Sequence, residues 1–200
     1  MTLEEFLQEL YADELSDMFP ANRPNAVLES RTKLFPLINS AMTYAYSKWK
    51  IKYGSEMINV VEGTNEYTLE ATDVLSIVQL VNVYGLDVPQ SDYQVLDKTI
   101  YFPYPQTQTL EVIYKVKHNK FTTAQDDALT VLELPEMLIP WLKAYICHRY
   151  FASMKTEAAL VKAADFLGQA QTAELVFSNT NTTNEFTAPT NRKIDMRGFA

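Results

Sequence analysis

The chain is poor in the residues that metal and covalent chemistry need. Of its 200 residues one is cysteine, Cys147, and two are histidine, His118 and His148. A lone thiol allows no disulfide framework and fits a reducing compartment. One Cys and two His fall short of the about four ligands of a zinc site. Cys147 and His148 are also adjacent, and neighbours on a helix do not face the same way. The five glycines, Gly54, Gly63, Gly85, Gly168 and Gly198, make neither a P-loop nor a dinucleotide fingerprint. No serine sits in a nucleophile elbow. No apolar run approaches the about 20 residues that span a bilayer. The acidic start, Met1-Thr-Leu-Glu-Glu5, is the opposite of a secretory leader. We therefore expect no catalytic site, no metal and no cofactor.

Apolar residues make up 47% of the chain and aromatics 12%, the composition of a globular protein. The net charge of −8 argues against a general nucleic-acid binder. The charge is also blocked. Glu4, Glu5, Glu9, Asp13, Glu14 and Asp17 precede any base, and Arg23, Arg31, Lys33, Lys48, Lys50 and Lys52 follow. Residues 61–97 are acidic again, and Lys98, Lys115, Lys117 and Lys120 come next. Alternating blocks suit self-complementary subunit faces, and they suit an ordinary solvated surface equally well.

The pattern predicts an α+β fold. Thr2 and Glu5 form a capping box, opening a helix over about 2–18. A second helix covers about 26–52, its stripe running Leu34, Leu37, Ile38, Ala41, Met42, Ala45, Tyr46, Trp49. Pro36 lies inside it, so a kink or a restart is expected there. The period then falls to two over a β-block at about 56–117. Val74–Tyr84 is apolar on both faces. Asp97-Lys98 reads as a hairpin turn without the favoured glycine. Leu110, Val112, Tyr114 and Val116 alternate with Glu111, Ile113, Lys115 and Lys117 as a half-buried strand. A short extended piece at Thr130–Leu132 precedes helix over about 135–177, either continuous or broken near residues 153–155. Its second half shows a stripe of Ala158, Val161, Ala164, Leu167 and Val176. The N- and C-terminal helices should form one bundle, with a small antiparallel sheet or sandwich inserted between them.

This domain, 1–177, is followed by 178–200, which is polar and unperiodic at first and so reads as an extended arm. Phe186, Pro189, Arg192, Lys193, Ile194, Met196, Arg197 and Phe199 are its candidate partner-binding residues. Anchors spaced along an extended segment suit docking on another chain. Ordering costs about 1–2 kcal/mol per residue. A buried anchor returns about 1.5–3 kcal/mol, so backbone pairing and many-copy attachment must add to it.

Three segments together resemble a known family: Leu37–Lys52 running into Val60–Leu69, Leu132–Phe151, and Arg197-Gly-Phe199. They are similar to the head–tail adaptor (neck, or head-completion) proteins of tailed bacteriophages, the short-tailed type above all. The resemblance implies a non-enzymatic virion protein in a homo-oligomeric ring of roughly twelve copies. It implies a portal protein above, a tail or nozzle protein below, and DNA passing through without specific binding. It also implies a C-terminal grip on the portal, no membrane, and a place in the virion neck after synthesis in the host cytoplasm. The alternatives are a β module presenting Tyr93, Tyr101, Phe102 and Tyr104 to a sugar or receptor, another tail structural subunit, or an enzyme with a pocket of paired titratable groups.

Overall fold

The computed structural model describes residues 1–16, 26–124 and 127–185. The chain divides into a helical unit, Met1–Ala41 with Phe121–Ala200, and a β unit, Met42–Lys120. The α+β class holds, with the β unit inserted in sequence between two helical stretches.

In the helical unit, α1 (Leu3–Ala12) starts at the capping box. Thr2 N–H donates to Glu5 Oε2 at 2.7 Å, and Glu5 N–H donates to Thr2 Oγ1 at 3.2 Å. Two further start-of-helix donors find carbonyls from far along the chain. Leu3 N–H reaches Thr130 O at 2.8 Å and Glu4 N–H reaches Asp127 O at 3.2 Å. Thr2 bridges Val131, and Leu132 N–H donates to Met1 O. The extended piece expected at Thr130–Leu132 is thus the partner of the N-terminus. Leu3, Phe6, Leu7 and Leu10 are buried, as the spacing predicts. The helix ends at Ala12, not near 18. Leu15 N–H bonds back to Leu10 O, and Ser16 Oγ bonds to Asp13 O. Asp and Ser offer the backbone these local alternatives to helix.

Helix α2 (Ala26–Lys48) runs through Pro36 without a break, so the expected restart does not occur there. Pro36 costs about 3 kcal/mol in a helix interior. Leu34, Phe35, Ile38 and Ala41 are all buried beside it, and a buried Leu, Ile or Phe returns about 1.5–3 kcal/mol each. Pro36 itself faces solvent, where its missing N–H is least felt. The helix stops at Lys48, four residues short of the expected Lys52.

The C-terminal helix is two helices. Pro140 sits in the first turn of α3 (Ile139–Met154), where it is tolerated. Lys155, at φ 56°, turns the chain in a left-handed conformation, and α4 (Glu157–Glu185) follows. The helix therefore continues past Ser178, where the sequence predicts the arm to begin. Extending an existing helix is cheap compared with starting one, and buried Phe177 secures the turn before. The two helices pack through Phe151 and Phe166, stacked with centroids 5.7 Å apart. His148 Nδ1–H donates to Ala163 O at 2.9 Å. The buried side of α4 is Ala159, Ala163, Ala170 and Phe177. That overturns the stripe of Ala158, Val161, Ala164, Leu167 and Val176, all of which are exposed. Phe151 of α3 reaches across to α4 at Phe166, while α4 buries mainly alanines.

In the β unit, β1 (Tyr53–Val60), β6 (Gln108–Val116) and β3 (Val74–Asn82) form one antiparallel sheet with β6 central. A second antiparallel sheet orders β2 (Glu66–Thr68), β5 (Thr99–Tyr101) and β4 (Gln94–Leu96). One core draws on both sheets: Ile58, Val60, Leu69, Leu80, Ile100, Phe102, Leu110 and Val112 among others. The alternation predicted for β6 is borne out residue for residue. Asp97, at φ 55°, makes the β4–β5 turn, a position Asp tolerates better than most residues. β1 begins at Tyr53, earlier than expected. There Gly54 lies opposite Tyr114, whose buried ring leaves no room for a side chain.

Asn39 ties the two stretches of the helical unit together. Its Nδ2 donates to Phe121 O at 2.9 Å, and its Oδ1 accepts from Phe121 N–H at 2.8 Å. Asn39→Ala strands both Phe121 groups and should cost about 1–3 kcal/mol in urea unfolding. Gly54→Ala would place a Cβ 2.7 Å from Tyr114 Cε2 and Cζ. It should cost about 1–3 kcal/mol by overpacking, read in the same assay.

Candidate functional site

The eight residues predicted to bind a partner, Phe186, Pro189, Arg192, Lys193, Ile194, Met196, Arg197 and Phe199, lie outside the described residues. The described part offers two other places where chemistry gathers.

The first is the end of β3. Asn82 folds the chain back on itself, its Oδ1 accepting from Tyr84 N–H at 2.9 Å and Leu86 N–H at 3.0 Å. Asn82 N–H donates to Leu86 O and Gly85 N–H to Asn82 O, each at 2.9 Å. Gly85, at φ 74°, supplies the left-handed turn. Val81 then bridges Asp87, and Val88 N–H reaches Leu80 O at 2.9 Å. The result is a pinned hook that displays Val83, Tyr84 and Leu86 to solvent, Tyr84 at 79% exposure. The apolar pattern alone reads 74–84 as one long strand. The legible signal for the hook is Asn82 followed three residues later by Gly85, a turn signature.

The aromatic platform of the sugar-binding alternative does not form as a set. Tyr93 and Phe102 belong to the core, with ring centroids 6.3 Å apart. Tyr101 and Tyr104 reach solvent. A cavity of about 390 Å³ beside Tyr104 is lined by Val88, Asp92, Phe102 and Gln108.

The second place is a cavity of about 500 Å³ in the helical unit, lined by Glu9, Glu14, Glu136, Ile139, Lys143 and Gln169 among others. Lys143 Nζ meets Glu9 Oε2 at 2.8 Å. Burial alone would lower the lysine pKa, but its bond to Glu9 and the charges of Glu14, Glu9 and Asp13 together raise it. Glu14 is pushed above the usual carboxylate range, chiefly by burial, and its Oε2 has no hydrogen-bond partner. The thiol of Cys147 is pushed up to about 12 by burial, with the Glu14 charge adding to it. A protonated, buried thiol is inert. His148 turns its Nδ1 to Ala163 O. Among the described residues no three His, Cys, Asp or Glu are placed to hold a metal. None of their helices is long and apolar enough to cross a membrane.

Glu14 gives a pH test. Because its folded pKa is raised above 4.5, the stability it lends when protonated is complete below that value and is lost as pH rises through the folded pKa. Glu14→Gln mimics the protonated form. It should melt higher than the parent at pH 7, and the difference should close as the pH falls below 4.5.

The comparison with known proteins gives the class. No curated protein matches the chain. The family described as SU10 adaptor protein matches it over residues 1–193, in keeping with the resemblance carried by Leu37–Lys52 and Leu132–Phe151. The chain belongs to the SU10 adaptor protein family and is a bacteriophage structural adaptor protein that works among other phage head and tail components.

Proposed function

We propose that the protein is a neck subunit that joins the portal of a phage head to the tail, as a closed ring of roughly twelve copies around the DNA channel. The observation that carries this is the family match across residues 1–193. The charge supports it. A chain of net charge −8 makes few phosphate contacts, so DNA can slide past without binding. In this reading the protein is non-enzymatic and resides in the virion neck.

The division of labour follows the chain. Residues 1–185, ending with α4, are the adaptor domain, and the residues after Glu185 are the arm. Phe186, Ile194, Met196 and Phe199 seat in the portal or a neighbouring subunit. Pro189 stiffens the arm, and Arg192, Lys193 and Arg197 meet acidic groups on the same partner. The hook bearing Val83, Tyr84 and Leu86 is the second attachment point, toward the tail or nozzle protein.

Truncation after Glu185 tests this reading. The shortened chain should keep the circular dichroism and melting temperature of the parent, and bind portal-bearing heads at least tenfold more weakly in a sedimentation assay. Unchanged binding to such heads would remove the arm from the mechanism.

A further inference from the structure

We propose that β1 is an open docking edge, and that the strand which fills it is the terminal segment 193–197 of a second copy of this chain. The inference rests on the multi-copy reading above and names where the arm lands.

The edge follows from the register. β1 and β6 pair without a slip from Tyr53↔Lys115 to Val60↔Gln108. Just before β1, Val116 N–H donates to Lys52 O at 3.1 Å, which makes that opposed pair a hydrogen-bonded one. Bonded and non-bonded pairs alternate along an antiparallel ladder. Gly54, Glu56, Ile58 and Val60 therefore turn their N–H and C=O to β6, and Ser55, Met57 and Asn59 turn theirs away from it. These three are exposed, Met57 at 58%. Among the described residues nothing hydrogen-bonds their outward backbone groups.

The other edges of the β unit are blunted. β3 shifts register against β6 twice, between Val74 and Ser76 and between Ile77 and Gln79. β2 and β4, the edges of the second sheet, are three residues each. Bulges and short strands protect an edge from stray pairing. β1 has neither, being eight residues long with an unbroken register. It holds no proline, and its one charge, Glu56, is tied to the N–H groups of Glu70 and Ala71. An edge left open over such a length is what an added strand needs.

The chain carries a segment fit to fill it. Lys193-Ile194-Asp195-Met196-Arg197 alternates charged and apolar, the period of a half-buried strand. β1 offers an apolar neighbour on each face, exposed Met57 on one and Ile58 on the other, so Ile194 and Met196 meet apolar surface whichever face they take. Pro189 falls outside the segment, so the added strand keeps all its donors. The seven residues between Glu185 and Lys193 reach about 25 Å when extended, enough to cross to another subunit. A copy that gives its arm to one neighbour and receives an arm on β1 from the other makes a head-to-tail contact, the kind that closes a ring. Pairing along β1 also supplies the backbone bonds that the arm's side-chain anchors need beside them.

The test uses the full chain. The amides of Ser55, Met57 and Asn59 should exchange with deuterium at rates close to those of an unfolded chain in dilute protein. They should exchange at least tenfold more slowly once the protein assembles, alone at high concentration or on portal-bearing heads. Met57→Pro removes one outward donor and no bond to β6. It should melt within a few degrees of the parent and self-associate at least tenfold more weakly in sedimentation velocity. Met57→Thr keeps the backbone and should associate as the parent does. Should Met57→Pro fail to fold, the exchange measurement on the unaltered chain decides alone. If the three amides exchange equally fast in both states, or folded Met57→Pro associates as the parent does, the strand pairing is wrong and the ring reading survives. If the amides slow as much in a chain truncated after Glu185 under the same conditions, another strand fills the edge and the arm assignment is overturned. If they are slow already in the dilute full chain and fast in the truncated one, the arm docks on its own copy and the second-copy assignment is overturned. If the parent self-associates neither free nor on portal-bearing heads, edge docking between copies and ring both fail.

Discussion

The helical unit depends on one constraint: its two stretches are separated by an insertion of residues 42–120 and must still meet. The amide of Asn39 answers it at the base of the insertion, giving and receiving one hydrogen bond with Phe121. A side-chain amide is suited to this, because it matches a backbone N–H and C=O at once. The far end of the same stretches is held by backbone alone, through Leu3 to Thr130, Glu4 to Asp127 and Leu132 to Met1. Closing so long a loop costs little more than closing a shorter one, since the entropy grows only with the logarithm of length. A few well-placed bonds and a shared apolar core therefore suffice. Inside the β unit the same economy appears in Thr43 Oγ1, 3.0 Å from His118 Nε2, with His118 Nδ1 on Asn119 O. The carbonyl can only accept, so Nδ1 carries a proton.

How much of this was readable depended on whether burial was one-sided. β6 was legible because one face is core and the other is not, so Leu110, Val112, Tyr114 and Val116 alternate cleanly. α1 was legible at its start, where Thr2 and Glu5 act locally, and not at its end, where Asp13 and Ser16 compete with the helix. Pro36 did not restart the helix, because its local cost is outweighed by Leu34, Phe35 and Ile38, whose burial is a tertiary fact. The end of β3 misled for a related reason: Val83 and Tyr84 continue the apolar pattern while Asn82 and Gly85 fold the chain back.

The α4 stripe is the most instructive error. Val161, Ala164, Leu167 and Val176 have the spacing of a core face, yet the chain buries the alanine face instead. Two apolar sides on opposite edges of one helix nearly cancel, so no single amphipathic direction survives to be read. The inward side of α4 meets α3 through the Phe151–Phe166 stack and carries alanines beside it. The partner-binding residues proposed for the arm rest on composition alone, which marks candidate anchors and says nothing of where they land.

A chain that buried all its large apolar residues within itself would have nothing left to join with. This one keeps Val83, Tyr84 and Leu86 on a hook stiffened by Asn82, and Leu160, Val161, Leu167 and Leu175 along one helix face. Both features cost solubility in the free subunit, since exposed apolar surface favours aggregation. The net charge of −8 offsets that by keeping like molecules apart over about 8–10 Å at physiological salt. Local contact then has to overcome a general repulsion, which several weak faces acting together can do and one face alone cannot. In the proposed assembly, acidity and uncovered apolar surface are two halves of one property: a subunit that stays apart until enough of its surfaces are engaged at once.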